Sequence, residues 1–288
     1  MTVRELLTNI TAQLEQAGCD SPAFDALCLL EDIGGVGRGG YPAKAACTLS
    51  PDREAAVCAA ADRRASGYPL QYLLGEWEFL RLRLRVGEGV LVPRPDTELL
   101  CETVAARLRQ TWNGAAVRGL DLCAGSGCVA LGIASLYPHA AIQAVELSDA
   151  ALPYLRENCA RYPHLRVSPV QADVLHDSGR FAPVSFIASN PPYIPPGDLS
   201  ALMPEVRHEP RLALDGVDAD GLRFYRAIAA DWLPLLLPNG FCAVEVGVGQ
   251  AAAVAALFCE HGLRQVEILP DLAGIDRVVV GQKSDVKQ

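Results

Sequence analysis

The chain has 288 residues, which is enough for two domains and a sizeable hydrophobic core. Half of its residues are apolar, and a formal net charge of −9 argues against a broad nucleic-acid or anionic-membrane surface. Its ten cysteines are scattered without a C-x-x-C pair, no apolar run approaches ~20 residues and no signal-peptide pattern opens the chain, so we expect a cytoplasmic protein with reduced thiols rather than a secreted or membrane-spanning one.

Residues 1–76 carry the pattern of a small helical domain. Apolar residues recur at helical spacing over residues 6–17, and Ser21-Pro22 and Ser50-Pro51 each supply an N-cap followed by proline at the first helical position. The helix that follows Ser21 is predicted to bury one apolar face, made of Phe24, Leu27, Cys28 and Leu30.

Five glycines between Gly34 and Gly40 predict a mobile loop within this domain. Ten acidic residues against six basic ones through Glu76 do not suit a DNA-binding domain. A partner-docking helical bundle and a purely structural scaffold both remain open.

Residues 77–92 alternate with a period of two and predict a β-hairpin linker, with its turn at Gly87-Glu88-Gly89. One face would be apolar and the other basic. The basic face is either solvated or contacts an acidic or phosphate-bearing partner. The alternating residues are Leu80, Leu82, Leu84 and Val86 on the apolar face and Arg81, Arg83 and Arg85 on the basic face.

From about Asp96 the chain alternates helix and strand, which predicts a doubly wound α/β sheet over residues 93–284. The predicted helices are 97–109, 128–137, 149–162, 222–237 and 250–261. The predicted strands are 117–123, 141–147, 166–172, 184–188 and 240–246, followed by a closing pair at 266–269 and 277–280.

The first of these strands ends in a turn of small residues. Its sequence is Cys123-Ala124-Gly125-Ser126-Gly127, which lets a ligand approach the backbone at a helix N-terminus. The turn alone is compatible with a nucleoside ligand of methyl-donor chemistry, with a dinucleotide, or with a structural role and no ligand.

Carboxylates at successive strand ends narrow this choice. Asp121 would accept from the ammonium of an amino-acid tail, Glu146 from ribose hydroxyls, and Asp173 from an adenine amino group. No lysine or arginine is expected near them to neutralise a pyrophosphate. This pattern favours S-adenosylmethionine over a dinucleotide.

Asn190-Pro191-Pro192-Tyr193 directly follows the strand at 184–188. Two prolines stiffen the loop. The Asn190 side-chain oxygen and the Pro191 carbonyl are two hydrogen-bond acceptors directed at the same point. Tyr193 adds a flat ring. The expected guest is a planar –NH2 group, either a carboxamide or the exocyclic amine of a base.

These pieces together resemble the HemK-type protein-(glutamine-N5) methyltransferases of peptide chain release factors. The resemblance covers about residues 68–280 and rests on Gln71–Gly75, Val90–Glu98, Asp121–Gly127, Glu146, Asn190–Tyr193, His208–Leu214, Asp220–Leu222 and Arg277–Val280. The segments P-R-P-D-T-E and H-E-P-R-L-A-L separate this family from DNA adenine methyltransferases that share N-P-P-Y.

The resemblance implies a Rossmann-like class I S-adenosylmethionine-dependent fold behind a release-factor-docking domain at 1–76. The methyl would go to the amide of the glutamine in the factor's Gly-Gly-Gln loop, leaving S-adenosylhomocysteine. Cys123–Gly127, Glu146, Val174 and Asn190 would line the cofactor site, and Asn190–Tyr193 would hold the glutamine. A monomer without direct nucleic-acid or membrane binding is expected.

Two departures from the family pattern concern the turn, where Gly-Thr-Gly-Thr-Gly is usual, and Glu146, where aspartate is as usual. The glycine cluster is also atypical. One hypothesis makes His208 and Glu209 an acid–base pair. The preferred one is that their segment packs over the active-site loop and that Arg211 pairs with a carboxylate. Glu245 is expected near the site without a chemical role, and the dispersed histidines predict no metal.

Three other functions stay open from the sequence. One is the same chemistry on a ribosomal-protein glutamine. Another is an N6-adenine or other base methyltransferase, which would need a basic groove. The third is a catalytically silent module that keeps S-adenosylmethionine as a structural ligand.

Overall fold

The computed structural model describes residues 1–285 and divides into two compact units. The first comprises Met1–Trp77 together with Met203–His208, and the second comprises Glu78–Leu202 and the chain from Glu209 onward. The segment Glu78–Val92, predicted as a linker, therefore belongs to the second unit.

The first unit is helical, as its sequence predicts. Thr2 begins the first helix with a capping box, in which its hydroxyl accepts from the Glu5 N–H at 3.2 Å and the Glu5 carboxylate accepts from the Thr2 N–H at 2.9 Å. The helices are α1 (Val3–Gln16), α2 (Pro22–Cys28) continued by a π-helical turn at Leu29–Ile33, α3 (Tyr41–Lys44), α4 (Pro51–Ala65) and α5 (Leu70–Leu74), and a 3₁₀ turn at Val206–His208 accompanies them.

The apolar face predicted for α2 is wrong at Phe24, whereas Leu30 is buried and Leu27 and Cys28 are half-buried. Phe24 is 53% exposed, and the buried face consists of Asp25, Ala26, Leu29 and Leu30. Asp25 is buried because the Arg64 guanidinium donates to it at 2.7 Å and also reaches Glu205 at 3.4 Å. A pattern of apolar residues does not reveal such an ion pair, because the pairing depends on α4.

The second unit is a seven-stranded sheet in the order β5-β4-β3-β6-β7-β9-β8, preceded by a two-stranded hairpin, β1-β2. The strands are β1 (Glu76–Phe79), β2 (Leu82–Arg85), β3 (Val117–Leu122), β4 (Ala140–Glu146), β5 (Val167–Gln171), β6 (Val184–Ser189), β7 (Leu236–Glu245), β8 (Leu263–Pro270) and β9 (Asp276–Lys283). The helices are α6 (Asp96–Trp112), α7 (Cys128–Leu136), α8 (Leu152–Arg161), α9 (Arg211–Leu214), α10 (Arg223–Ala227) and α11 (Ala251–Glu260).

The doubly wound sheet is confirmed, including the closing pair. Strands β5, β4, β3, β6 and β7 run parallel, whereas β9 pairs antiparallel with both β7 and β8. The chain leaves β3 toward β4 on one side and later returns to β6 on the other. Ligands of open α/β sheets bind outside the carboxyl ends of strands at this kind of reversal.

The hairpin exists, but its predicted turn is wrong. The chain turns at Leu80-Arg81, where Leu80 has φ +53°, and Gly87–Gly89 follows the second strand. The Glu98 carboxylate accepts from the Leu80 N–H at 2.8 Å and so holds the turn from α6. Alternation marks both strands alike and does not place the turn between them.

The single helix predicted over 222–237 is also interrupted. After α10 the chain forms a π-helical turn at Ile228–Trp232 and a 3₁₀ turn at Leu233–Leu235, and β7 begins at Leu236. Pro234 cannot donate to a helical hydrogen bond, which favours an early end of the helix.

Apolar side chains fill both faces of the sheet. Phe186 and Phe241 stack with their ring centroids 6.0 Å apart on one face, and Trp232 donates to the Val174 carbonyl at 2.8 Å on the other. Gly119 of β3 makes room for Phe186, since a β-carbon there would stand 2.1 Å from the ring. Each such ring contributes about 2–3 kcal/mol to the stability of the fold.

All ten cysteines are unpaired, and two of them, Cys101 and Cys242, are fully buried in the second unit. Within residues 1–285 no helix combines the length and the apolar character that crossing a bilayer requires.

Candidate functional site

A cavity of about 870 Å³, including the part that opens to solvent, lies at the carboxyl ends of the parallel strands. The sequence-predicted residues that line it are Cys123, Ala124, Gly125, Ser126, Glu146, Asp173, Val174, Asn190 and Pro192. The fold therefore brings the ends of four strands and the turn after β3 to one place.

The turn after β3 presents its backbone to this cavity. Gly125 has φ +54°, and a β-carbon there would meet only Val90 at 3.9 Å, so the space above it is open. Cys123 has φ +60°, a left-handed conformation that glycine adopts at lower cost. The usual glycine of the family pattern at this position therefore has a local conformational reason.

Glu146, the last residue of β4, ties this turn to the strand. Its two carboxylate oxygens accept from the N–H groups of Gly125 and Ser148, each at 2.7 Å. Burial raises the pKa of Glu146, and hydrogen bonds from the backbone N–H groups of Ser148, Gly125 and Leu147 lower it, with burial the larger effect. Each oxygen keeps a further lone pair for a ligand hydroxyl.

Asp173 and Val174 line the same cavity after β5. One oxygen of Asp173 accepts from the Leu175 N–H at 2.8 Å, and the side chain keeps 26% exposure. The Trp232 contact fixes the Val174 backbone from behind.

Asp121 and Gly127 do not line the cavity among the described residues. Asp121 is fully buried and accepts from the Ala130 N–H at 2.9 Å, in the first turn of α7. Burial raises its pKa to about 8. The observed partner of Asp121 is α7, which occupies only its Oδ2, whereas the buried Oδ1 has no hydrogen-bond partner among the described residues. The predicted contact between Asp121 and a ligand ammonium stays a prediction. A β-carbon on Gly127 would stand 2.6 Å from Leu155, which indicates a packing role.

Asn190 follows β6 and is held by a chain of hydrogen bonds. Its Nδ2 donates to Thr97 Oγ1 at 3.1 Å, and that hydroxyl donates to Glu245 Oε2 at 2.6 Å. Thr97 lies in the first turn of α6, and Glu245 is the last residue of β7.

The rest of the Asn-Pro-Pro-Tyr loop is divided between the cavity and the fold. Both prolines are buried, and only Pro192 is among the described residues that line the cavity, whereas Tyr193 packs beside Gly247. Gln250 donates to the Tyr193 carbonyl at 2.9 Å. The stacking of Tyr193 on a flat substrate stays a prediction.

Arg94 also lines the cavity, so the expectation of no cation near the site is wrong. Arg94 precedes α6 and is therefore distant in sequence from the strand ends whose residues it joins in the cavity. Its guanidinium is paired to Glu209, which is 5% exposed and also accepts from the Val92 N–H at 3.0 Å. This pairing leaves the cation partly neutralised.

His208 and Glu209 do not form an acid–base pair. The His208 ring lies edge-on to Tyr68, with centroids 5.2 Å apart, and Glu209 is bound to Arg94. Arg211 pairs with Asp215 at 2.9 Å, as predicted.

Glu245 is 2% exposed, and burial raises its pKa to about 7. The Thr97 hydrogen bond opposes this shift, Asp96 adds to it, and Arg277 and the Asn190 side chain oppose it. The charge of Glu245 in turn raises the pKa values of Tyr193, Tyr225, Cys101 and Cys128.

Replacing Glu245 by glutamine is expected to stabilise the protein more at about pH 8.5 than at about pH 5. A raised carboxyl pKa gives stability that is complete below ~4.5, the unfolded value, and is lost as the pH rises through about 7. Glutamine cannot ionise, so the variant-minus-wild-type free energy of unfolding should grow by on the order of 3 kcal/mol across this window. Urea unfolding of both proteins at the two pH values measures it, and an equal difference at both would contradict the buried charge.

Thr97 was not among the predicted site residues. Its only signal was its place within the segment P-R-P-D-T-E, beside the turn residues in the family pattern. Val90, Leu91 and Leu212 also line the cavity, and their only signal was their place in the family segments Val90–Glu98 and His208–Leu214.

Two family models match the chain. One, described as "PrmC N-terminal domain", matches residues 5–75, and the other, described as "Methyltransferase small domain", matches residues 95–203.

Several curated proteins are similar over nearly the whole length. A "Release factor glutamine methyltransferase" of Deinococcus radiodurans is 38% identical over 284 residues, covering 99% of each chain. A protein of the same name from Geobacter sulfurreducens is 39% identical, covering 98% of this chain and 96% of its own.

Solved structures share the fold at low identity. The hMettl16 catalytic domain in complex with MAT2A 3'UTR hairpin 6 is 14% identical with a TM-score of 0.56, over 84% of this chain and 85% of that one. A methyltransferase from Pyrococcus furiosus is 13% identical with a TM-score of 0.51, over 82% and 100%. At these identities the likeness concerns the fold alone.

Proposed function

The chain belongs to the family of release factor glutamine methyltransferases, and from this premise we propose that it transfers a methyl group from S-adenosylmethionine to a glutamine side-chain nitrogen of peptide chain release factors. The glutamine would be that of the Gly-Gly-Gln loop. The observation that carries the proposal is Asn190, whose amide nitrogen is bound to Thr97 at the edge of the cavity.

The residues present fit S-adenosylmethionine. The open space above Gly125 admits a ligand against the backbone, and Glu146 keeps lone pairs for two ribose hydroxyls. Asp173, with Val174 beside it, supplies an acceptor for an adenine amino group. The pairing of Arg94 with Glu209 counts against a site for pyrophosphate.

The acceptor site would hold the glutamine through two oxygens. Asn190 Oδ1 and the Pro191 carbonyl would each accept one N–H of the substrate amide. An amide nitrogen is a poor nucleophile because its lone pair is delocalised into the carbonyl. Hydrogen bonds from both N–H groups return electron density to the nitrogen and stabilise the positive charge that develops there.

Bound S-adenosylmethionine supplies the methyl carbon on a cationic sulfur, which keeps the electron pair of the broken C–S bond as S-adenosylhomocysteine. The loop 190–193 would hold the substrate nitrogen facing that carbon, since in-line transfer needs close and aligned atoms. The substrate nitrogen forms the new bond and then loses one proton to water, so no strong base is required of the chain.

The same proposal extends to partner and location. We expect a monomer in the cytoplasm whose protein substrate is a release factor, docked through the first unit, without direct contact to nucleic acid. The net charge of −9 supports the last point.

The test incubates the purified chain with labelled S-adenosylmethionine and intact release factors, then maps the product by mass spectrometry. One methyl group on the Gly-Gly-Gln glutamine is expected, and none on a factor whose glutamine is replaced by alanine. Label on a ribosomal protein or on nucleic acid instead, or no transfer at all, would contradict the proposal.

A further inference from the structure

We propose that Thr97 and Glu245 are positioning residues that hold the Asn190 carboxamide with its oxygen toward the cavity, so that the acceptor site selects a carboxamide over a carboxylate. This inference rests on the proposed function and assigns specificity within that site.

The geometry of one hydroxyl group carries the argument. Thr97 Oγ1 has a single proton, and at 2.6 Å that proton is donated to the Glu245 carboxylate. The Thr97 oxygen is then an acceptor toward Asn190, 3.1 Å away. Only the –NH2 end of the Asn190 amide satisfies it, and the Asn190 oxygen must therefore point away from Thr97.

The hydrogen bonds that join Asn190, Thr97 and Glu245 are shielded from water. Thr97 is 1% exposed and Glu245 is 2% exposed. Their positions come from the first turn of α6 and the end of β7, while Asn190 follows β6. Three separate elements of the second unit therefore set one amide orientation, independently of any ligand.

The orientation decides which side chain the site accepts. An Asn190 oxygen facing the cavity accepts from the –NH2 of a glutamine, whereas a glutamate carboxylate has no proton to give and is repelled. With the amide turned over, its –NH2 would face the substrate and favour the carboxylate. Glutamine and glutamate have nearly the same shape, so the discrimination is one of hydrogen-bond direction.

Two substitutions of Thr97 distinguish the effect of its hydroxyl on the orientation of the Asn190 amide from an effect on packing. Thr97→Val keeps the shape but removes the hydroxyl, and Thr97→Ser keeps the hydroxyl. Thr103→Val is the matched control, since Thr103 is a buried threonine six residues further along α6. Thermal unfolding of each variant verifies that it is folded.

The measurement compares two ligands at about pH 8.5, where the raised pKa of Glu245 still leaves it charged. Dissociation constants are determined by calorimetry for an intact release factor and for the same factor with the loop glutamine replaced by glutamate. The wild type is expected to prefer the glutamine form by ~10-fold or more. Thr97→Val should reduce that preference by ~5-fold and lower kcat by ~10-fold, with the Kd for S-adenosylmethionine kept within ~3-fold.

Thr97→Ser and Thr103→Val should keep both the preference and kcat of the wild type. An unchanged preference in Thr97→Val, or an equal loss in Thr97→Ser, overturns the positioning role. A wild type that methylates no release factor overturns the proposed function instead, and the two failures are therefore distinguishable.

Discussion

Replacing Asn190 by alanine is expected to lower kcat for release-factor methylation by ~10²-fold or more. The variant loses the oxygen that would accept one substrate N–H and stabilise the charge on nitrogen. The aligned approach of the substrate nitrogen depends on the same contact, so kcat should fall more than KM rises.

Steady-state kinetics with labelled methyl donor measure this effect. Binding of S-adenosylmethionine to the Asn190→Ala protein, measured by calorimetry, shows whether the cavity is intact. Near-normal turnover of Asn190→Ala would show the two-acceptor model to be wrong.

Replacing Glu146 by alanine is expected to raise the Kd for S-adenosylmethionine by ~10²-fold. Hydrogen bonds to a charged group contribute about 1.5–3 kcal/mol each, and two ribose hydroxyls would lose their acceptor. The N–H groups of Gly125 and Ser148 would lose theirs as well, so the turn would also lose its tie to β4.

Glu146→Asp should bind within ~10-fold of the wild type, since the carboxylate remains at a slightly shorter reach. Asp149→Ala is the matched control, because Asp149 follows the same strand and accepts from Gln171 instead of the turn. Calorimetric titration of all three variants checks the prediction. Wild-type affinity in Glu146→Ala would remove Glu146 from the cofactor site.

The parts of the fold that local patterns determine were predictable. Parallel strands of a buried sheet are apolar runs, and the turn Cys123–Gly127 and the loop Asn190–Tyr193 are punctuated by glycine and proline. Because carboxyl ends of parallel strands share one edge, the sequence also indicated that Glu146, Asp173 and Asn190 come together. The cavity lining agrees with that grouping.

The parts that pairing between distant residues determines were not predictable. Arg64 makes Asp25 a buried residue, and Glu98 places the hairpin turn at Leu80. Thr97 reaches Asn190 across 93 positions of sequence. Asp121 accepts from the Ala130 N–H, nine residues further along the chain in α7. Hydrophobic periodicity carries no information about such partners.

Gly221 lies behind the Asn-Pro-Pro-Tyr loop with φ +71°, so close that a β-carbon would stand 2.1 Å from the Tyr193 carbonyl oxygen. Gln250 bonds that same oxygen and the Asp220 carbonyl. An engineer who wishes to admit a bulkier acceptor therefore has little freedom within the four loop residues. Any larger residue at position 221 would displace the Tyr193 carbonyl, and loss of the Gln250 amide would release it, so a redesign of the loop has to keep both residues.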